Sequence, residues 1–300
     1  MGPGPTADAR AEGCYDDAVR EESFDLGDVT SSCLVVGDGP LVLVQHGFPD
    51  AREGHVPLAE RLVAAGYRVV LPALRGYAPS SVARSGRHDA LAAGDDLVAL
   101  ARRLGDGKPV RLVGHDWGAV ATFAAVTAAP TLFAHAVTMS VPHPSALVRA
   151  LGPAQLRRSA YIGGFQFPGL AEAWLARDDL ALVDRMWRAW SPGFEPPAAL
   201  MAAIKDGLRD RIGPALAYYR ALRSPARLRE ARRVFGPIDV PTTHLHGARD
   251  SCIHPRCADG AERWFRRGYA LEVIEGVGHF LVAERPDVIA ERVLAAFARG

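Results

Sequence analysis

Two hydrophobic periods alternate along the first half of this chain, and each switch between them marks an element. Residues 32–36 read as a strand that leads through Gly37-Asp38-Gly39 into Leu41-Val42-Leu43-Val44-Gln45, a short buried strand, as a hairpin would. Apolar residues then recur at the helical period, at Val56, Leu58, Ala59, Leu62 and Val63, until Gly66 stops them. Residues 67–71 return to strand, and 89–104 form a helix ended by Gly105. A strand at 110–113, an alanine-rich helix to about 129 and a strand at 135–139 follow. Repeated strand–helix units predict an α/β fold with a mostly parallel sheet, helices on both faces, and ligands outside the carboxyl ends of the strands. The alternation breaks over about 145–233, where helical stretches are cut by Pro168-Gly169, Ser191-Pro192-Gly193 and Pro196-Pro197, and it resumes at Pro241. The expected organisation is a flexible polar leader at 1–22, a core at 23–144 and 234–300, and a helical lid at 145–233 over the strand ends.

The chemistry gathers at the turns that close these strands. Between the strand ending at Val113 and the helix after Gly118 lies Gly114-His115-Asp116-Trp117-Gly118. Glycines on both flanks allow a sharp strand-to-helix turn that holds its central residue strained and exposed, the geometry of a nucleophile elbow. Asp116 stands where serine is usual. A carboxylate suits displacement at a saturated carbon, giving an alkyl ester on the enzyme. The alternative is an ordinary turn in which Asp116 caps the helix with its side chain. His46-Gly47-Phe48-Pro49 follows an apolar strand and can aim a backbone N–H at the elbow, with Phe48-Pro49 a candidate cis bond. Thr243-His244-Leu245-His246-Gly247 reads as a strand with Asp250 in the loop beyond. Leu271-Glu272-Val273-Ile274 is another, followed by Gly276-Val277-Gly278-His279. Nucleophile, acid and histidine, each in a loop after a strand and in that order, are the arrangement of an α/β-hydrolase.

Composition removes several alternatives. Hydrophobic residues make up 49% of the chain and the formal net charge is +1, as in a soluble globular protein rather than a nucleic-acid binder. No apolar run reaches the roughly 18–20 residues that span a bilayer, so no membrane partner is expected. Cys14, Cys33, Cys252 and Cys257 are few and scattered. The pair Cys252 and Cys257 near His246 and His254 lacks a second pair with ligand spacing, so no metal and no cofactor is assigned. Free thiols suit a cytoplasmic setting.

At its lid the sequence resembles the epoxide hydrolases of the α/β-hydrolase superfamily, over nearly the whole chain after the leader. His46-Gly47-Phe48-Pro49-Asp50 looks like the family's oxyanion-hole turn, and Arg75-Gly76-Tyr77 with Ser80 like its Arg-Gly-Tyr loop. Gly114 to Ala119 looks like its elbow, and Val141-Pro142-His143-Pro144 like its passage to the lid. The resemblance implies Asp116 as nucleophile, Asp250 as charge partner, His279 as base, and Tyr161 and Tyr219 as the lid tyrosines that grip the epoxide oxygen. It implies an oxyanion hole from the N–H groups of Phe48 and Trp117, and substrate contacts at His46, Pro49 and Phe165. Tyr218 is read as a packing residue whose hydroxyl bonds to backbone. Phe165, Phe167, Trp174, Trp187 and Trp190 suggest an apolar pocket, most of them as lid core. Ala78, where the family's loop usually has glycine, and the short lid depart from the pattern and bear on substrate size.

The implied reaction converts a small apolar epoxide and water into a vicinal diol without a cofactor, with a homodimer left open as the assembly. Haloalkane dehalogenase is the alternative, with the Trp117 indole N–H toward a halide. That family commonly has asparagine where Phe48 stands, and phenylalanine offers no donor. A substrate hydroxyl replacing water, and a fold that binds without turnover, are the remaining readings.

Overall fold

The computed structural model describes residues 19–299. Eight strands form one sheet: β1 (Arg20–Asp25), β2 (Thr30–Val36), β3 (Leu41–Gln45), β4 (Arg68–Pro72), β5 (Val110–His115), β6 (Phe133–Met139), β7 (Thr242–Gly247) and β8 (Tyr269–Ile274). Their spatial order is β1-β2-β4-β3-β5-β6-β7-β8. From β4 to β8 every neighbouring pair is parallel, while β2 runs antiparallel to both β1 and β4.

Consecutive residues of the central strands serve opposite faces, and both faces are covered, so these strands read as continuous apolar runs. Leu41 and Leu43 pack with Leu97 of α2 (Ala90–Leu104) and Ala121 and Ala125 of α3 (Trp117–Ala128). Val42 and Val44 pack instead with Leu58 and Leu62 of α1 (Val56–Ala64) and with Val293 and Phe297 near the chain end. Asp89 begins α2 as its N-cap, accepting the Ala92 N–H at 2.9 Å.

Two expectations are corrected here. The anticipated hairpin between residues 32–36 and β3 does not form. β4 stands between β2 and β3, and β2 makes its hairpin with β1. The leader is also shorter than 1–22, because Arg20 to Glu22 pair with Val35 to Cys33. Residues 1–18, with Cys14, lie outside the described residues.

Between β6 and β7 the described chain holds helices and no strand. They are α4 (Pro144–Arg149), α5 (Pro153–Arg158), α6 (Tyr161–Gly164), α7 (Leu170–Trp190), α8 (Ala198–Arg209), α9 (Ile212–Ala221) and α10 (Pro225–Ala231). A turn of 3-10 helix, Arg232–Phe235, follows, and α7 is broken by non-helical backbone at Arg177 to Leu180. α11 (Leu281–Glu284) and α12 (Pro286–Phe297) complete the chain. No helix among the described residues is long and apolar enough to cross a membrane.

Candidate active site

Asp116 lies between β5 and α3 with φ 53° and ψ −118°, and its side chain makes no cap to the helix. The turn is therefore not one in which Asp116 caps the helix. Strain at a non-glycine residue of this kind costs on the order of 1–3 kcal/mol and persists only where the surroundings enforce it. Glycines provide that enforcement. A Cβ on Gly118 would run into the Gln45 carbonyl oxygen, and one on Gly47 would meet the Asp116 carboxylate and sit 2.6 Å from the Trp117 nitrogen. The β3 turn is therefore pressed against the elbow. There the Phe48 N–H donates to Asp116 Oδ1 at 2.7 Å, next to a cis Phe48-Pro49 bond.

Two further loops bring Asp250 and His279 to Asp116. The Asp250 loop folds its own carboxylate inward, with Oδ1 accepting the N–H groups of Cys252 (2.8 Å) and Ile253 (2.9 Å). Oδ2 accepts His279 Nδ1–H at 2.8 Å and lies 3.3 Å from His246 Nε2. His279 is fixed through its backbone. Its N–H donates to the Trp190 carbonyl, and its carbonyl accepts from Ser140 Oγ (2.7 Å) and His115 Nε2 (2.9 Å). Trp190, at the end of α7, also accepts the Ser251 N–H, so α7 ties the Asp250 and His279 loops together. The result aims His279 Nε2 at Asp116 Oδ2, 3.8 Å away, with no hydrogen-bond partner among the described residues.

Charge follows this geometry. Burial works against a charge on His279, but the carboxylates of Asp250 and Asp116 override it and push the imidazole up to about 10. Burial likewise opposes ionisation of Asp250, and its contacts with His279 and His246 prevail, holding it below the usual carboxylate range. Burial raises the Tyr161 and Tyr219 phenols well above their ordinary value, so both stay protonated donors.

A cavity of about 540 Å³ opens beside the elbow, and Asp116, Trp117, Tyr161 and Tyr219 all line it. The Tyr219 hydroxyl and the Trp117 indole N–H have no partner among the described residues. Tyr161 Oη has one long contact, 3.7 Å to Cys252 Sγ. The Tyr161 and Tyr219 rings meet edge to face, with centroids 5.8 Å apart. Tyr218 also reaches the cavity wall, but its hydroxyl donates to the Arg75 carbonyl at 3.1 Å.

The expected substrate contacts at His46, Pro49 and Phe165 are corrected, because none of the three lines the cavity. His46 is committed to backbone on both ring nitrogens. Nε2 accepts the Leu74 N–H at 2.9 Å and Nδ1 donates to the Gly47 carbonyl at 3.0 Å, fixing the oxyanion turn. The Pro49 carbonyl accepts the Trp187 indole N–H at 2.7 Å. Phe165 is fully buried edge-on to Phe48 and Tyr219 (centroids 5.7 and 5.1 Å), supporting the walls from behind. Trp187 stacks on Phe280 at 3.5 Å and Trp190 packs against the His279 ring at 5.2 Å, while Phe167 and Trp174 are exposed.

One cluster escaped the sequence reading. Asp50 Oδ2 lies 3.5 Å from His115 Nδ1 and 3.7 Å from His55 Nδ1, all three residues buried directly behind the His279 carbonyl. Asp50 and His115 flank recognisable motifs, but nothing in their spacing announces His55 as a third member. Burial lowers His55 to about 4, so it is neutral.

The fold and the triad define a class, and the comparisons agree with it. A family model described as alpha/beta hydrolase fold matches residues 40–286. Epoxide hydrolase A of Mycobacterium tuberculosis (strain ATCC 25618 / H37Rv) is 31% identical over 321 residues, covering 92% of this chain and 97% of that protein. AB hydrolase superfamily protein YfhM of Bacillus subtilis (strain 168) is 28% identical over 292 residues, covering 93% and 98%. The structure of an epoxide hydrolase from Vigna radiata superposes with a TM-score of 0.81 at 24% identity, covering 95% of this chain and 99% of that one, a likeness of fold. This chain belongs to the α/β-hydrolase family. Within it, the near full-length likeness to Epoxide hydrolase A puts the enzyme among the epoxide hydrolases.

Proposed function

We propose that this enzyme opens apolar epoxides through an Asp116 alkyl ester and hydrolyses that ester with water activated by His279. The observation that carries the reading is the division of the Asp116 carboxylate. Oδ1 is held by the Phe48 N–H while Oδ2 faces His279, in a cavity shared with the hydroxyls of Tyr161 and Tyr219. Oδ2 attacks a ring carbon and the C–O bond breaks. The departing oxygen takes a proton from the tyrosine pair, whose phenols are donors at neutral pH. Loss of the Asp116 charge releases the imidazolium proton, which restores the tyrosine and leaves His279 neutral.

His279, oriented by Asp250, then removes a proton from water, and the hydroxide attacks the ester carbonyl carbon. The developing charge falls on Oδ1, already bonded to the Phe48 N–H, with the Trp117 N–H as the second donor this reading assigns; one such donor is typically worth about 3 kcal/mol. Collapse expels the diol alkoxide, which takes the proton from His279. The regenerated carboxyl gives its own proton back to His279 and restores the ion pair. The apolar lining suits a substrate that is apolar away from its ring. Cys33, Cys252 and Cys257 are free thiols, which supports a cytoplasmic site of action.

The unpartnered Trp117 indole N–H is the one observation that favours halide displacement as a second reading. The experiment is diol formation from an aryl epoxide and bromide release from a matched bromoalkane, by the native enzyme and by Asp116→Asn. An amide of nearly equal volume is a much poorer nucleophile, so diol formation should disappear in a folded, mass-verified variant. Full activity in that variant, or bromide release exceeding diol formation in the native enzyme, would overturn the reading.

A further inference from the structure

Six large apolar side chains line the cavity and are also 38–57% exposed: Val148, Leu151, Leu156, Leu222, Leu228 and Phe235. A residue that faces a cavity and solvent at once stands at its mouth. These six come from α4, α5 and the link between them, and from the stretch that runs from the end of α9 through α10 to the turn at Phe235. The two parts of the rim are joined where Ser145 Oγ donates to the Phe235 carbonyl at 2.7 Å. A contiguous exposed apolar ring of this kind marks a surface that meets something other than water.

The charge around the ring says what it meets. Residues 145–160 and 222–235 hold eight arginines and one acid, Glu230, in a chain whose net charge is +1. Arg227 and Arg233 are paired with acids, and Arg158 reaches the Asp250 carbonyl. Arg149, Arg157, Arg223, Arg229 and Arg232 are exposed and form no ion pair or side-chain hydrogen bond among the described residues. A second copy of the chain is a poor occupant, because a two-fold interface would set these arginines against their own equivalents.

We propose that the mouth of the active-site cavity docks on an anionic lipid surface. The aliphatic ring enters the boundary between headgroups and acyl chains, and the free arginines meet the headgroup charge. The apolar substrate then passes from lipid to Asp116 without crossing water. Docking of this kind requires no membrane-spanning segment, and no described helix is long and apolar enough to be one. The inference adds a source of substrate to the epoxide reading, yet its test measures binding, so either can fail without the other.

The test uses the full chain and flotation with vesicles of phosphatidylcholine, alone or with about 30% phosphatidylglycerol. Binding is expected only to the anionic vesicles, weakening as salt shortens the screening length below about 10 Å at 0.1 M. Neutralising one arginine near the surface should weaken binding roughly fivefold, and Arg149→Gln, Arg157→Gln and Arg229→Gln together roughly a hundredfold. These side chains do not line the cavity, so turnover of a water-soluble epoxide by the triple variant should match the native rate. A Leu156→Trp variant should shift its emission to the blue on anionic vesicles and be quenched by brominated lipid. Absence of binding at about 0.1 M salt, undiminished binding by the triple variant, or an unshifted Trp signal would each overturn the proposal. So would a dimer in solution that already covers the residue introduced at position 156.

Discussion

Replacing Asp116 by Asn removes one of the two carboxylates that face His279 while keeping the side chain's volume. The carboxylate oxygen and His279 Nε2 are 3.8 Å apart. At an effective dielectric of about 20, unit charges at that separation interact by about 4 kcal/mol, close to three powers of ten in proton affinity. The remaining terms, burial and Asp250, are unchanged by the substitution. His279, pushed up to about 10 in the native protein, should therefore titrate about three pH units lower in the variant. Esterification neutralises Asp116 in the same way, so the substitution mimics the intermediate and measures the histidine when it must act as base.

The assay is a proton NMR titration of the ring Cε1–H signal, assigned among the ten histidines by its loss in His279→Gln. Stability supplies a second readout with a definite sign. A folded value above the ordinary value of 6.5 contributes stability that is complete below about 6.5 and lost as pH rises through about 10. Asn at 116 should compress that loss toward neutral pH. A titration midpoint that moves by less than about one pH unit would refute the proposed coupling, and with it the idea that alkylation switches the base on.

Three further outcomes follow from the same geometry. His279→Gln should accumulate an ester on Asp116, seen by intact mass as the protein plus the whole epoxide, since ring opening does not need the base; preserved turnover with no adduct would remove His279 from the mechanism. Tyr161→Phe and Tyr219→Phe keep the edge-to-face packing but each remove a donor, and should slow single-turnover alkylation by roughly 10–1000-fold; undiminished opening in the double variant would return both residues to packing. A single turnover in water enriched in oxygen-18 should label the Asp116 carboxylate and leave the first diol unlabelled, because water attacks the ester carbonyl; label in that diol would mean that water attacks the ring directly.

The meeting of Asp116, Asp250 and His279 was legible because each follows a strand in a short loop whose glycines can be read without coordinates. Glycines 114 and 118 flag the elbow, and the chain order of Asp116, Asp250 and His279 supplies the rest. Local pattern failed where pairing is non-local. β1, with the sequence Arg-Glu-Glu-Ser-Phe-Asp, is an exposed edge strand, so it carries almost no apolar signal. The Gly37-Asp38-Gly39 turn looks like a hairpin, yet β4, arriving some thirty residues later, takes the place beside β3. Nothing in sequence tells which way an aromatic ring in this segment faces, and the Phe165 ring turns behind the tyrosine wall rather than into the cavity. Asp50, His55 and His115 meet only because the β3 turn, the start of α1 and the end of β5 converge beneath His279, and no single segment encodes that meeting.

The substitution of aspartate for serine at the elbow changes more than the leaving group it can displace. A serine has one oxygen, which must be freed of its proton before attack and cannot also be held by the oxyanion donors. Asp116 has two, and the fold assigns them different surroundings: Oδ1 on the Phe48 N–H at 2.7 Å and Oδ2 toward His279 at 3.8 Å. Under the proposed reaction, the donor that orients Asp116 in the resting enzyme is thus the one that receives the negative charge when the ester breaks. In the proposed mechanism the histidine, likewise, first stabilises the nucleophile as an ion-pair partner and becomes a base only when that partner is consumed. Both economies depend on the positive φ at Asp116, because an ordinary helical start would turn the carboxylate onto the free N–H groups of α3 and away from the β3 turn.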